Sequence, residues 1–87
     1  MITISKQKFI ELYEELKLKY ERYFYSIDQN NTVITFFLRN ISTFFSVFYN
    51  YYNDTYTINY SHPVIGSNRR YFSDFNLLRE FILRNFR

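Results

Sequence analysis

Eighty-seven residues with a formal net charge of +3 make one small domain, 1–87, near the size at which a single core alone supplies only a few kcal/mol. Large aromatics offset that, since the 11 Phe and 10 Tyr each bury roughly 150–250 Å² when inside. The absence of cysteine excludes disulfide staples and thiolate metal sites, and no apolar run approaches the roughly 20 residues of a membrane span, so a soluble protein of the host cytoplasm with no membrane partner is expected.

Alanine is absent, Gly and Pro occur once each, and Asn, Ile, Lys, Phe and Tyr make up about half of the chain. The scarce residues have GC-rich codons and the abundant ones AT-rich codons. An AT-rich gene is expected, from a phage, mobile element, low-GC bacterium or organelle, and such a gene raises Phe and Tyr without any function.

Residues 6–22 read as a helix. Phe9, Tyr13, Leu16 and Tyr20 recur at i, i+4, i+7 and i+11, with Leu12 and Tyr23 widening the stripe. Ser5 is the expected N-cap. Glu11, Glu14, Glu15 and Arg22 fill the opposite, solvated face.

Strands over 23–29, 32–39, 44–52 and 55–60 follow as an antiparallel meander. Asn30-Asn31 predicts a tight turn, because Asn tolerates the left-handed conformation better than other non-glycine residues; a two-residue loop there pairs Ile27 with Ile34 and Tyr25 with Phe36. A connection over 40–43 then pairs Leu38 with Phe45 and Phe36 with Val47. A second tight turn at Asn53-Asp54 pairs Tyr51 with Tyr56 and Tyr49 with Ile58. One face thereby collects Tyr23, Tyr25, Ile27, Ile34, Phe36, Leu38, Phe45, Val47, Tyr49, Tyr51, Tyr56, Ile58 and Tyr60. A one-residue slip would scatter this set. The other face mixes Thr35, Ser46, Asn50, Thr55, Thr57 and Asn59 with Phe24, Val33, Phe37, Phe44, Phe48 and Tyr52.

Residues 61–72 hold the only His, Pro and Gly and read as a loop. A helix over 73–86, capped by Ser73 or Asp74, closes the chain with Phe75, Leu78, Phe81, Ile82 and Phe86 on its apolar side. The expected fold is α+β: helix, four-stranded antiparallel meander, helix, with both helices on the apolar sheet face.

Catalytic constellations are missing from the sequence. His62 is the sole imidazole and precedes Pro63, no nucleophile elbow surrounds any Ser, one glycine cannot build a phosphate loop, and the carboxylates sit at helix-surface spacing. No enzyme activity, catalytic residue, cofactor or metal is expected. Phe36-Phe37-Leu38-Arg39 together with the helix Phe75 to Ile82 resembles the arginine-bearing strand and a helix of Src-homology phosphotyrosine-binding domains. Asn40-Ile41 stand where that family has Glu-Ser, its glycine and tryptophan context is missing, and its function is not carried over.

Two surfaces remain. Phe37, Phe44, Phe48 and Tyr52 on the open sheet face form a candidate protein interface. Arg69, Arg70, Arg79, Arg84 and Arg87, which hold the net positive charge, form a candidate basic patch with weak nucleic-acid affinity. The expected function is that of a small non-catalytic binding protein occupying a protein or ribonucleoprotein partner, as host-defence inhibitors such as anti-CRISPR proteins do. The alternatives are an RNA-binding or ribonucleoprotein subunit using the arginines and open-face aromatics, and a structural subunit of an organellar or viral assembly; homodimerisation is a further use of the face.

Overall fold

The computed structural model describes residues 3–39 and 42–86. Helix α1 (Ile4–Lys19) begins two residues earlier than expected because Thr3, not Ser5, is its cap: the Thr3 side chain accepts the Lys6 N–H at 3.1 Å. It stops at Tyr20, whose N–H still reaches the Leu16 carbonyl. Five strands follow, β1 (Phe24–Ile27), β2 (Val33–Phe37), β3 (Phe44–Asn50), β4 (Thr55–His62) and β5 (Gly66–Phe72), before helix α2 (Phe75–Asn85). Asp74 caps α2, accepting the N–H groups of Asn76 and Leu77.

Every strand pairs antiparallel with its neighbour in sequence, in the order β1-β2-β3-β4-β5. Among the described residues the sheet therefore has five strands rather than four, and the expected 61–72 loop is the end of β4, a turn and the whole of β5. Pro63 occupies the turn, where its missing N–H costs no ladder bond. Gly66 takes φ +82, so the chain's one glycine serves a hairpin rather than a loop.

The first pairing keeps its expected register, with Ile27 opposite Ile34 and Tyr25 opposite Phe36, but the turn is not the expected two-residue loop: only Asn31 takes a left-handed φ, 57, and residues 29–32 connect the strands, with the Asp28 N–H donating to the Val33 carbonyl at 3.0 Å. The next two pairings are shifted by two residues. Phe36 faces Phe45, not Val47, and Ile34 faces Val47, because Thr43 is buried and its carbonyl accepts the Leu38 N–H at 3.0 Å, so that β2 ends at Phe37 while β3 starts at Phe44 as expected; residues 40 and 41 lie outside the described ones. Tyr49 faces Tyr56, and Asn50 faces Thr55. Only Asp54 in that turn has positive φ, whereas a two-residue type I′ loop needs two such residues, so the chain takes a four-residue connection held by the Asn50 amide on the hydroxyls of Thr55 (3.1 Å) and Thr57 (2.9 Å). A shift of two preserves both faces.

The helices share one face. Phe9 of α1 lies against Tyr49 and Tyr56, Phe36 stacks on Phe45 at 5.2 Å, and Phe86, just after α2, packs on Phe45 at 4.8 Å. Phe9, Leu16, Ile34, Phe36, Phe45, Val47, Ile58, Leu78, Ile82 and Phe86 are all 0% exposed. Tyr51 is the clearest departure from the expected core set: it lies in the turn, 62% exposed, with its ring against Tyr52. Tyr25 keeps the expected face but sits at the β1 edge, about half exposed.

Candidate functional site

The face opposite the helices is covered by none of the described elements, and its side chains fall into rows set by the register. The first row is Phe24, Phe37, Phe44, Ser61 and Ser67. The rings of Phe24 and Phe37 stack at 5.4 Å, and the Arg39 guanidinium lies 5.4 Å from the Phe24 centroid, an attraction that fixes a cation at the edge of the aromatic row.

The second row is Ser26, Thr35, Ser46, Asn59 and Arg69. It is hydrogen-bonded to itself: the Thr35 and Ser46 hydroxyls meet at 3.1 Å, and Arg69 Nε donates to Asn59 Oδ1 at 2.7 Å. The third row is Val33, Phe48, Thr57 and Tyr71. Phe48, Thr57, Asn59, Arg69 and Tyr71 line a groove of about 540 Å³ whose far end reaches Tyr52.

Of the four residues expected to form an interface, Phe37 and Phe44 are direct cross-strand partners. Phe48 shares their face but lies four residues along β3 from Phe44, about 13 Å at 3.3 Å per residue, with Ser46 between. Tyr52 has left the sheet and stands in the β3–β4 turn, 89% exposed. Tyr71 and Arg69 are additions that reading 61–72 as a loop concealed. Their signal was the alternation Ser67, Arg69, Tyr71 against Asn68, Arg70, Phe72 directly after a glycine.

The arginines do not all share one surface, although Arg70 and Arg84 line the same groove. Arg69 is on the open face, while Arg70 is on the helix side with its guanidinium 5.2 Å from the Phe72 centroid and 4.9 Å from that of Phe81. Arg79 forms a two-point bridge to Glu15 of α1, with Nε donating to Oε1 at 2.9 Å and Nη2 to Oε2. That bridge holds the Glu15 carboxyl below the usual range and raises Arg79. Arg84 is paired with Glu80 at 2.8 Å, and Arg87 lies outside the described residues.

His62 is used locally: its Nδ1 accepts the Val64 N–H at 3.1 Å, and its ring stands edge-on to Phe86. Among the described residues, no group of three or more His, Cys, Asp or Glu is placed to hold a metal ion, and no helix is long and apolar enough to cross a membrane. What the open face can do chemically is exclude water over its rings, stack planar groups and hydrogen-bond along its middle row. Compared with known proteins, the chain matches no family model, no curated protein and no solved structure.

Proposed function

We propose that the chain is a small non-catalytic binding protein whose working surface is the open sheet face, and that it acts by occupying a protein or ribonucleoprotein partner. What supports this reading is the Phe24, Phe37, Phe44 row, three rings side by side on adjacent strands with a hydrogen-bonding row beside them. An apolar cluster rimmed by donors and acceptors remains soluble alone and becomes dry when covered. The AT-rich composition and small size support the setting, an inhibitor from a phage or mobile element directed at host defence, of the anti-CRISPR type.

The test is capture from host lysate by the wild-type chain and by a Phe37→Ser, Phe44→Ser double variant, with and without nuclease, and with oligomeric state followed by light scattering. The expected result is a host complex retained by the wild type and lost by a folded double variant. Equal retention by both removes the open face as the working surface, and loss of self-association alone makes the face a homodimer interface instead.

One observation favours a second reading, an RNA-binding subunit: Phe48 and Tyr71 offer rings, and Arg69 a cation, around one groove, which is the combination that takes stacked bases and a phosphate. Binding to single-stranded RNA would then fall with salt at a log–log slope of about −0.7 per phosphate neutralised. A flat salt dependence removes this reading.

A further inference from the structure

At the end of the sheet, β5 pairs with β4 on one side and with none of the described strands on the other. Apart from Phe72 its residues are exposed, so its outer edge turns backbone N–H and C=O groups to solvent, with the Arg69 N–H covered only by the adjacent Asn68 side-chain oxygen at 2.8 Å, and such an edge is a template for another strand. Between this edge and α2 runs a groove of about 510 Å³ lined by Tyr60, Phe72, Leu77 and Phe81, with Ile65 at the turn. Leu77 is 55% exposed and Ile65 38%, so the groove is open and offers apolar side chains beside the polar ones of Arg70, Glu80, Arg84 and Asn85.

Arg70 crosses it. Its guanidinium rests on the Phe72 and Phe81 rings and makes no hydrogen bond or ion pair among the described residues, although five N–H donors are available. The one carboxylate lining the groove, Glu80, is already held by Arg84 at 2.8 Å. A planar cation fixed on two rings with its donor edge free is prepared for a carboxylate, because ordering the side chain costs little more at the moment of binding.

We propose that the β5 edge and the adjoining groove capture an extended acidic segment of a partner protein, added as a sixth strand with a carboxylate on Arg70. This surface is separate from the open face and does not depend on it. Successive residues of a strand point to opposite faces, and Arg69 and Arg70 do so here, facing Asn59 and Ile58 respectively across the ladder. An added strand would therefore meet them with two adjacent acidic residues, and cross-strand pairs of opposite charge are favourable. Two positions from the acid that meets Arg70, on the helix side, the strand would carry an apolar residue into the groove beside Leu77 and Phe81. The same arginines oppose edge pairing between two copies of this chain, which would set like charges against each other. Nucleic acid would satisfy Arg70 but leave the backbone row unpaired.

The experiment is selection of a random nine-residue peptide library on the full chain, followed by affinity measurements on the enriched peptides. The expected enrichment is for two adjacent Asp or Glu with an apolar residue two positions from one of them. Arg70→Ser should weaken the best peptide at least about tenfold, the loss of a charge-assisted hydrogen bond, and Arg70→Lys should weaken it less. Arg70→Glu should regain affinity for the same peptide with Lys in place of the matching acid, which a merely misfolded variant cannot do. N-methylation of the peptide should abolish binding at alternate positions only, those whose N–H points at β5. The Phe44→Ser change should leave the affinity unaltered. Failure to enrich any peptide, enrichment without adjacent acids, indifference to Arg70→Ser, or equal tolerance of N-methylation at every position each overturns the proposal.

Discussion

Asp28 holds the first hairpin through three bonds to residues across the turn. Its Oδ1 accepts the N–H of Thr32 at 2.6 Å and of Val33 at 2.8 Å, and its Oδ2 accepts the Thr32 hydroxyl at 2.9 Å. Partial burial pushes this carboxyl up, but the N–H groups of Val33 and Thr32 and the hydroxyl together pull it down further, so it lies below its ordinary value of 3.8. A depressed folded pKa adds stability above the unfolded value that is lost as pH falls through the folded one. Glu15 shifts the same way, through Arg79. Asp28→Ala should therefore cost about 1–3 kcal/mol at pH 7, with the gap to wild type narrowing in denaturant titrations below about pH 4. A gap that is constant from pH 7 to pH 2 would mean that the charge contributes nothing.

The element that escaped sequence reading is β5, and the reason is physical. Its inward positions Asn68, Arg70 and Phe72 are polar, cationic and aromatic, because the strand lies at the sheet margin and only Phe72 is buried; hydrophobic alternation, the signal that revealed β2 to β4, does not arise where one face is mostly uncovered. Glycine and proline next to it then read as loop. The faces of the other strands were legible because burial repeats every second residue, which fixes parity without fixing register. Loop length set the register, and it depended on Thr43 being buried and on a single left-handed residue at Asp54. Half of the candidate interface, Phe37 with Phe44, came from parity alone, whereas Arg69 and Tyr71 needed β5. Gly66 has φ +82 and nothing within 4 Å of the place a Cβ would occupy. Gly66→Ala should thus lose about 1–2 kcal/mol, from backbone conformation and not from a clash, and Gly66→Asn should lose less. Equal losses in thermal melts of both variants would point to a packing role instead.

Across the whole molecule the two faces of the sheet make unequal contributions to stability, and adjacent residues on β3 measure the difference. Phe45 is 0% exposed, with Phe36, Tyr20 and Phe86 around it, so Phe45→Ala should cost about 3–5 kcal/mol. Phe44, partly exposed on the other face, should lower the melting temperature by no more than about 8 °C when changed to Ser; comparable losses would mean that the open face is covered in solution. The hydroxyl of Tyr20, at the end of the first helix, shares its one proton between the carbonyls of Ile82, at 3.1 Å, and Phe86, near the end of the chain. All the strand pairings join neighbours in sequence, whereas this contact spans 62 and 66 residues, and closing so long a loop is slow compared with zipping hairpins. The sheet should therefore assemble first and the Tyr20 latch close after the rate-limiting barrier. Tyr20→Phe should then speed unfolding by about tenfold, for a loss near 1.4 kcal/mol, and leave the refolding limb of the chevron where it was. A slower refolding limb with unchanged unfolding would reverse that order, placing the meeting of the two helices before the sheet.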